Sequence, residues 1–450
     1  MRATFDIPTW KRSSKGSRYP TLREPCLPGH RAALLALAVL IGAPAGLMAQ
    51  QPAAPDSQPP PIDDSITAAE SDAPARRLVS FNEYEGPLGS IRIGGGVLYD
   101  YAAFSQDAAS REQVELDSQW KYRDGRVLLS GRLNFKRPTT WSAGIMFDGA
   151  KKAWVIRQTG IMVAVPEIWG HLFVGRSKEG FSLNKVMIGY AGWGIERAPI
   201  SDATLPILAD GVKWLGYLPR ARILWTLGWY GDAVSEGQSF SSYESQVSGR
   251  LVWVPALSAS GRMLVHLGIS QRYGKVNNAT LRLRARPGAW AAPYFVDTGE
   301  FAATSTRMTG LEAYYRPGPF TFGSEYFLQR VHAPASGDPL FHGGDAVATW
   351  LITGETRTYN TRGGYFNQIS PRRPVFAGGP GAWEVVGHFS NVDLDGGAIT
   401  GGTFWRLTPM LNWYVSDNVR LAFVYGYGSL DRFGLVGKTR FFQTRLQLQL

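Results

Sequence analysis

Residues 220–231 read RARILWTLGWYG. Apolar residues fill every second position of this stretch, and mostly polar residues fill the positions between them. Successive side chains of a β-strand point to opposite faces, so the stretch predicts a strand with one apolar face and one polar face. The apolar face would carry Ile223, Trp225, Leu227 and Trp229, and the polar face would carry Arg222, Thr226 and Tyr230.

The same alternation recurs along the chain, for example in residues 403–415 and 440–450. Gly, Pro, Asn and Asp interrupt it at intervals, as turn residues do between strands. No long helical period is found beyond Leu78. Aromatic residues lie near the ends of the alternating stretches, and the whole pattern predicts an all-β protein.

Two all-β architectures fit alternation of this kind, a soluble sandwich and a transmembrane barrel. The composition, 12% aromatic and 18% charged with 52 Gly, excludes a disordered chain and a helical membrane bundle. About sixteen long strands would make a very large sandwich, because its apolar faces must close on one core. We therefore expect a transmembrane antiparallel β-barrel with an apolar band toward lipid and a wet lumen.

Sixteen strands can be placed on the sequence. An even number puts both ends of the barrel on the periplasmic side, where short turns are expected, and long loops then lie outside. Two connections break this rule, since the loop near Gly149 is too short and the turn at residues 355–381 is too long. Side chains do not fill a barrel of about sixteen strands, so an aqueous channel is expected. The predicted strands are residues 90–101, 126–136, 140–148, 152–163, 170–176, 209–217, 221–231, 245–254, 262–274, 304–316, 319–330, 343–354, 382–392, 401–415, 418–429 and 440–450.

The N-terminal region has a different composition. Residues 1–49 contain a basic segment with the only cysteine, Cys26, followed by an apolar stretch at residues 32–41 and by small residues. This order predicts a signal peptide, and an uncleaved inner-membrane anchor is the alternative. A signal peptide would direct export across the inner membrane, which a bacterial transmembrane barrel requires.

The rest of the chain divides into a linker and a barrel domain. Residues 50–76 are rich in Pro, Ala, Ser and Asp and are typical of a periplasmic linker, which leaves residues 77–450 for the barrel. Residues 1–49 hold 7 of the 47 Lys and Arg and 2 of the 36 Asp and Glu, so the remainder has a net charge of +6 instead of +11. Only nine of the remaining cations are Lys, and the planar fork of Arg suits oxyanions.

The polar faces of the strands predict the lining of the lumen. A one-residue slip would exchange the two faces, so the apolar band fixes which side chains point inward. Cations outnumber acids on the inward faces, and such a wall attracts anions into a low-dielectric barrel. The alternative is a non-selective porin, in which acids on an inward loop balance an arginine-lined wall. The predicted inward cations are Arg92, Arg132, Lys136, Lys213, Arg222, Arg250, Arg262, Arg272, Arg406, Arg420 and Arg445, and the inward acids are Asp100, Glu312, Glu325, Asp345 and Glu384.

The densest basic cluster is LRLRAR at residues 281–286. In an extended segment, Arg282, Arg284 and Arg286 would line one edge at a spacing of about 6.5 to 7 Å. Such a row could pass an oxyanion from one site to the next, provided that each site binds weakly. The alternative is a solvated basic loop that faces anionic lipopolysaccharide.

A second candidate region is residues 177–208, which is long enough to fold into the barrel and narrow it. Acids stand beside its cations, so the segment is nearly balanced in charge. An external cap on the barrel is the alternative. The cations are Lys178, Lys185 and Arg197, and the acids are Glu179, Glu196 and Asp202.

Motifs for other chemistry are missing from the sequence. The histidines show no metal-ligand spacing such as H-E-x-x-H, and no G-x-S-x-G nucleophile elbow occurs. Gly94-Gly95-Gly96 lies in a predicted strand with no helix after it, which excludes a nucleotide-binding loop. His266 and His388 have no evident Ser and acid partners. We expect no enzymatic activity, no cofactor, no metal and no nucleic-acid partner.

Short motifs in a fixed order along residues 91–450 resemble those of the phosphate-selective porin O and P family of Gram-negative outer membranes. No single motif is specific, whereas their order over so much of the chain is. The resemblance is strongest in the last third. The motifs there are GETRTY at 354–359, GYF at 364–366, GAWE at 381–384, DLD at 393–395, NWY at 412–414 and NVRL at 418–421, and the earlier ones are VGRSKEGFSL at 174–183, ER at 196–197, HLG at 266–268 and LRLRARP at 281–287.

The resemblance implies a trimeric barrel, narrowed by inward segments, that passes phosphate-like anions along a ladder of arginines. The ladder would include Arg282, Arg284 and Arg286 from the fifth external loop, and residues 177–208 would form the constriction. The long turn at residues 355–381 would enter the lumen. That turn would supply Arg357, Arg362, Arg372 and Arg373.

Three functions remain open at this level. The first is an outer-membrane diffusion channel selective for small anions, either phosphate or pyrophosphate, that works as a homotrimer among lipid and lipopolysaccharide. The second is a less selective porin for small solutes or oligosaccharides, in which Trp and Tyr of the lumen would stack on sugars. The third is a secreted β-rich binding or structural protein without a channel.

Overall fold

The computed structural model describes most of the predicted barrel domain. The predicted signal peptide, the predicted linker and the loop at Gly149 lie outside the described residues. Within the described part of the chain, no helix is long and apolar enough to cross a membrane. The described ranges are residues 82–148, 153–187, 189–231 and 242–450.

Sixteen antiparallel strands form one closed barrel, which confirms the predicted fold class. Each strand pairs with the next along the chain, and the first pairs with the last, with Asp100 opposite Arg445. Closure pairs the backbone of every strand on both sides, which a membrane requires because lipid offers no hydrogen-bond partners. The strands are β1 (Gly89–Gln106), β2 (Gln119–Leu133), β3 (Thr139–Asp148), β4 (Ala153–Val165), β5 (Gly170–Ser177), β6 (Ala209–Leu218), β7 (Ile223–Gly231), β8 (Tyr243–Leu257), β9 (Met263–Val276), β10 (Ser305–Pro317), β11 (Phe320–His332), β12 (Leu340–Leu351), β13 (Ala382–Gly396), β14 (Ile399–Tyr414), β15 (Val419–Arg432) and β16 (Leu435–Gln449).

Shorter elements lie before β1 and in the connections. The short strand Glu83–Gly86 pairs with the start of β1. The described connections also contain short helices, two-stranded ribbons and 3-10 turns. The helices are α1 (Ala108–Gln113), α2 (Leu183–Val186) and α3 (Pro199–Thr204); the ribbons are Thr280–Leu281 with Phe301–Ala302, Arg284–Ala285 with Val296–Asp297, and Tyr359–Asn360 with Tyr365–Phe366; the 3-10 turns are Pro166–Ile168, Asn277–Ala279, Pro334–Ser336 and Val375–Ala377.

The wall has an apolar outer face and a polar inner face, as β16 shows. Phe442 and Leu448 are exposed on the outer face, whereas Gln443 and Arg445 are buried on the inner face. Exposed tryptophans lie near both rims, as the aromatic girdles of membrane barrels do. They are Trp120, Trp154 and Trp229 toward the external rim, and Trp169 and Trp350 toward the periplasmic rim, where β1 begins and β16 ends.

Three long connections enter the barrel. Residues 178–208 and 277–304 start at the external rim, and residues 352–381 start at the periplasmic rim. The ring of Trp193, in the first of these segments, lies 5.6 Å from that of Tyr314 on β10. Two apolar clusters fill the space between the segments and the wall, so the inward side chains of the wall contact protein. The first cluster includes Phe181, Ile200, Leu283, Phe295 and Phe404, and the second includes Leu183, Trp193, Val252, Tyr314 and Phe366.

Four of the predicted inward cations lie at the periplasmic rim instead. Lys136, Arg222 and Arg262 are exposed in turns, because β2, β7 and β9 are shorter at this rim than the sequence predicts. Arg222 has a φ of 52°, a left-handed conformation that does not occur within a regular strand. Arg132 is inward in register, but it is the penultimate residue of β2 and its side chain is 65% exposed. The alternating pattern had continued into turn residues at Lys136, Arg222 and Arg262, where the lumen prediction was wrong, whereas Arg132 is inward but lies at the open end of the lumen.

Candidate functional site

The inward arginines of the wall are buried, and carboxylates neutralise several of them. Arg250 on β8 donates two hydrogen bonds of 2.8 and 2.7 Å to Glu312 on β10. The same guanidinium donates to the carbonyl oxygen of Gly364 at 2.8 Å, in the periplasmic segment that enters the lumen. A forked pair of this kind fixes both side chains and cancels their charge. Arg250 therefore connects the wall to an inward segment.

Other inward arginines bind backbone carbonyl oxygens of the two external segments. Each such bond fixes an inward loop to the wall, and it leaves fewer guanidinium hydrogens free for a solute. Arg92 is half-buried at the periplasmic end of β1, opposite Glu83 of the short strand. The bonds to carbonyl oxygens are those of Arg272 to Thr204 (2.8 Å), Arg406 to Pro287 (2.6 Å), and Arg420 to Gly192 and Trp193 (2.7 and 2.8 Å).

Glu196 joins the external segment 178–208 to the wall. It accepts hydrogen bonds from Arg445 at 2.6 Å and from Arg123 on β2 at 2.7 Å. Arg445 also makes two bonds of 2.6 Å to Asp100, its direct neighbour on β1. Burial favours the neutral carboxyl, but Arg123 and Arg445 outweigh it and lower the pKa of Glu196 to about 2. The carboxylate is therefore charged at neutral pH and cancels part of the positive charge around it.

The cations predicted for the constriction bind the backbone of their own segment. Their ammonium and guanidinium groups therefore fix the folded shape of residues 178–208 inside the barrel. Arg197 also lines a small cavity, together with Glu196, His388 and Arg406. The bonds to carbonyl oxygens are those of Lys178 to Met187 (3.0 Å), Lys185 to Pro206 and Ile207 (3.1 Å to the latter), and Arg197 to Asn184 (3.1 Å).

A row of inward acids on the wall binds the external segment 178–208 near its start, at Asn184. Glu312, Glu325 and Asp345 stand directly opposite one another on β10, β11 and β12. Glu325 accepts a hydrogen bond of 2.7 Å from the backbone N–H of Asn184 at the start of α2. Asp345 accepts bonds of 3.0 Å from His388 and 3.3 Å from the side chain of Asn184. These acids position the inward segment as well as balancing charge.

The four arginines of the periplasmic segment differ in location. Arg357 is fully buried and donates 2.7 Å bonds to Glu384 and to the carbonyl oxygen of Ala191. It thereby joins the periplasmic segment to the external segment 178–208. Arg362 is half-buried, whereas Arg372 and Arg373 are exposed.

The arginines of residues 277–304 have aromatic neighbours. The guanidinium carbon of Arg284 lies 4.1 Å from the ring centre of Tyr294, and that of Arg286 lies 4.2 Å from it. Arg286 also lies 4.4 Å from the ring of Trp290, which Arg123 of β2 approaches at 4.0 Å. We call Arg284, Tyr294, Arg286, Trp290 and Arg123 the arginine–aromatic stack. It runs from the external loop toward the wall, where Arg123 binds Glu196.

The stack covers guanidinium faces and leaves edges open. Two like-charged guanidinium groups this close to the ring of Tyr294 would crowd and repel each other on one face, so opposite faces are the favoured arrangement for Arg284 and Arg286. The flat sides of both cations are then partly covered, and their N–H groups point outward along the edges. Within the described residues, the side chain of Arg284 has no hydrogen bond, and that of Arg286 donates from Nε to the carbonyl oxygen of Ala292 at 3.1 Å.

The third arginine of the predicted row is paired differently. Arg282 donates bonds of 2.8 and 2.6 Å to Asp297, on the facing strand of the loop. Burial favours the neutral form of Asp297, but the hydrogen bond from Arg282 outweighs it and lowers the pKa of this carboxyl. The LRLRAR cluster therefore contains one neutralised arginine and two that face aromatic rings.

Comparison with known proteins identifies the chain. Residues 91–450 match the sequence model of the family described as phosphate-selective porin O and P. The match covers most of the chain, including all of β2 to β16 and all but the first two residues of β1. The chain belongs to this family. It is therefore a member of a porin family, and the family and fold support an outer-membrane channel of Gram-negative bacteria over the secreted β-rich protein without a channel.

Individual relatives of the porin are distant. It is 24% identical to Porin O of Pseudomonas aeruginosa over 217 residues, which are 42% of this chain and 48% of that protein. It is 30% identical over 204 residues to an uncharacterized protein of Caulobacter vibrioides, covering 44% of this chain and 40% of the relative. The chain thus spans less than half the length of these curated relatives.

Solved structures share the barrel of the porin at low sequence identity. OmpT of Vibrio cholerae, in vitro folded, has a TM-score of 0.52 at 10% identity, with 81% of this chain and 99% of that chain covered. The outer membrane channel DcaP of Acinetobacter baumannii has a TM-score of 0.51 at 8% identity, with 82% and 99% covered. These likenesses support the fold alone.

Sequence reasoning missed several residues that build the site of the porin. Trp290 and Tyr294 follow the LRLRAR cluster closely, so their rings could have been paired with it by proximity in the sequence. Arg123 and Asp297 gave no such signal, because only the folded loop brings them to Trp290 and Arg282. The anchoring role of Glu325 also depends on the folded position of Asn184.

Proposed function

We propose that the porin is a diffusion channel selective for small anions, with phosphate or pyrophosphate as the substrate. The observation that carries the proposal is the arginine–aromatic stack. Aromatic rings hold the guanidinium groups of Arg284 and Arg286 without cancelling their charge, and N–H edges remain open for a phosphate oxygen. Arginine binds such oxyanions through two parallel hydrogen bonds.

The charge balance of the described residues supports the arginine–aromatic stack as the position of the anion site. Arg250, Arg445 and Arg357 each bind a buried carboxylate, and Arg282 binds Asp297. The guanidinium groups of Arg284 and Arg286 form no ion pair with a carboxylate in the described part of the chain, although Asp202 accepts a 3.1 Å bond from the backbone N–H of Arg286. An anion that enters from outside would therefore meet net positive charge at these two arginines first.

The stack also gives the anion a direction of travel. Guanidinium groups on opposite faces of one ring are about 8 Å apart, since each lies about 4 Å from the ring centre. An oxyanion released by one edge could reach the next before it loses the attraction of the first. The last arginine, Arg123, shares Glu196 with Arg445, and this acid weakens binding so that the anion leaves inward.

The less selective alternative, a porin for oligosaccharides, has weaker support. Sugars stack on the faces of aromatic rings that solvent can reach. Arg284 and Arg286 both lie against the ring of Tyr294, and Arg123 and Arg286 both approach Trp290. The rings of the stack are therefore already occupied.

We propose further that the porin is exported by a signal peptide and works as a homotrimer surrounded by lipopolysaccharide. OmpT of Vibrio cholerae, which shares the barrel at a TM-score of 0.50 and 11% identity, has a trimer form. A trimer would cover part of the apolar outer face. Crosslinking of the native membrane, followed by sizing of the products, tests this assembly.

The test of the channel function is a reversal potential in a planar bilayer under a KCl gradient, followed by titration with phosphate. The parent should prefer chloride to potassium, and phosphate should block the chloride current at micromolar to millimolar levels. Replacing Arg282, Arg284 and Arg286 together with Gln should lower the anion preference and weaken the block. The matched control is Arg372→Gln with Arg373→Gln, which removes two exposed arginines at the other rim.

Heat-modifiable migration on a denaturing gel should be the same for the parent, the triple variant and the control, because none of these changes touches the strand pairing. Unchanged selectivity in a folded triple variant would remove the stack as the anion site. Block by maltodextrins instead of phosphate would establish the oligosaccharide alternative.

A further inference from the structure

Two arginines interrupt the apolar outer face of the barrel. Arg307 on β10 and Arg330 on β11 stand directly opposite each other, and both are exposed. They point outward, because Leu311 and Leu328 share their faces and are exposed on the outside. Their neighbours in the same cross-strand row are apolar or aromatic. These neighbours are Trp229 on β7, Val247 on β8, Tyr273 on β9 and Leu340 on β12.

Neither arginine has a partner among the described residues, by hydrogen bond, ion pair or ring contact. Lys275, the nearest outward cation on β9, does have a partner, since it binds Glu244 at 2.9 Å. Like charges directly opposite each other on neighbouring strands repel. The repulsion is stronger where lipid replaces part of the surrounding water. An anion between the two guanidinium groups would remove it.

The depth of the pair indicates the source of that anion. Arg307 is the third residue of β10, and Arg330 is the third from the end of β11. Both therefore lie close to the external rim, level with the exposed ring of Tyr273. Below them on the outer face come Leu328 and Leu311, which are suited to acyl chains. A ligand at this place has a phosphate at the membrane border and acyl chains beneath it.

We propose that Arg307 and Arg330 bind a phosphate of lipid A, the phosphorylated lipid anchor of lipopolysaccharide. The two planar forks can each donate paired hydrogen bonds to one dianionic phosphate. The acyl chains of the same molecule then cover Leu311 and Leu328. This site lies on the outside of the barrel and is independent of the anion path through the lumen. It places one bound lipid against β10 and β11.

The experiment compares the full-length porin with the double variant Arg307→Gln, Arg330→Gln. Binding of Kdo2-lipid A is measured by native mass spectrometry and by titration in detergent, with lipid A whose phosphates have been removed as the second probe. The parent should bind the phosphorylated lipid at least about tenfold more tightly than the dephosphorylated one, because charge-assisted hydrogen bonds are lost. The double variant should bind both forms equally weakly.

Three controls keep the outcomes distinct. Arg372→Gln with Arg373→Gln removes two exposed arginines at the opposite rim and should bind lipid A as the parent does. Reversal potential and phosphate block should be unchanged in the Arg307, Arg330 variant, which separates this site from the channel function. Inorganic phosphate in excess should not displace the lipid, since it lacks the acyl chains.

Some results would overturn the proposal. Equal binding of phosphorylated lipid A by the parent and by the folded double variant would exclude the site. Displacement of the lipid by inorganic phosphate at similar concentration would assign the pair to free phosphate. Loss of oligomers in the variant, with lipid binding per protomer unchanged, would assign the pair to contacts between copies of the chain.

Discussion

The arginines of the barrel wall and those of the external loop differ in what covers them. On the wall, Arg250 and Arg445 are buried against carboxylates and carbonyl oxygens. In the loop, Arg284 and Arg286 are covered by the rings of Tyr294 and Trp290. A carboxylate cancels the charge of a guanidinium group, whereas a ring covers its face and leaves its charge. The number of arginines in the lumen therefore does not give the charge that a solute meets.

The two sets should also respond differently to substitution. Wall arginines hold the inward segments to the barrel, so their loss should affect stability first. Loop arginines make few contacts that the fold needs, so their loss should affect solute binding first. The changes below separate these two roles.

The largest effect should follow removal of a buried wall arginine. Arg250→Met leaves Glu312 buried and charged without its arginine partner, retaining among the described residues only its bonds with His266 and Ser270. It also releases the carbonyl oxygen of Gly364, and the two losses should lower the free energy of unfolding by about 3 to 5 kcal/mol. Urea unfolding in detergent, followed by heat-modifiable migration, measures the change. Pairing Arg250→Met with Glu312→Leu should restore most of the stability. A folded single variant with unchanged stability would contradict a structural role for the pair.

A somewhat smaller effect should appear when acid protonates Glu196. The folded pKa is about 2 against a reference value of 4.5, so the carboxylate contributes stability that is complete above pH 4.5 and is lost as pH falls toward 2. The shift corresponds to about 3 kcal/mol. Unfolding at a series of pH values between 7 and 2 measures this loss.

The control for this pH dependence is Glu196→Gln, which has no carboxyl to protonate. Its stability at pH 7 should resemble that of the parent near pH 2, and it should change less between these values. An equal loss of stability in parent and variant would assign the acid sensitivity to other groups.

A moderate effect on solute binding should follow loss of the rings in the loop. Trp290→Leu with Tyr294→Leu keeps every arginine but removes the surfaces that orient Arg284 and Arg286. The concentration of phosphate that half-blocks the current should rise about three- to tenfold, in line with cation–π contacts of about 0.5 to 2 kcal/mol each. Tyr294→Phe keeps the ring and should behave as the parent. Unchanged block in the Leu double variant would show that charge alone determines binding.

The smallest effect should come from an exposed ion pair outside the barrel. Arg137 donates two 2.8 Å bonds to Glu167 at the periplasmic rim, and these bonds hold the pKa of that carboxyl at about 2. Both side chains are largely exposed, so solvent screens the attraction. Arg137→Gln should leave the unfolding midpoint and the selectivity unchanged. A loss comparable to that of Arg250→Met would contradict the link between burial and stability.

The strands of the barrel could be predicted because their signal is local. Alternation such as that of Ile223 to Trp229 identifies a strand and its lipid-facing side from adjacent residues alone. The same pattern does not identify where a strand ends, since turn residues such as Arg222 and Arg262 can continue it. The predicted lumen set was therefore wrong at the periplasmic rim.

The site was harder to predict because its contacts are distant in the sequence. The LRLRAR cluster was evident, but its spacing could not show that Arg282 would bind Asp297 or that Arg123 would reach Trp290. The face pattern placed Arg250 and Glu312 in the lumen without showing that they pair. Charge could thus be counted from the sequence, whereas its neutralisation required the folded chain.

The pair of Asp100 and Arg445 also constrains how the barrel assembles. These residues are 345 positions apart, and their bond joins the first strand to the last. Arg445 donates as well to Ile195 and Glu196 in the external segment. The bonds from Arg445 to that segment can form only when β16 is in place. Contacts between residues so far apart in the sequence are slow to form, so we expect this attachment to be late. Closure of this seam would therefore complete both the wall and the constriction of the pore.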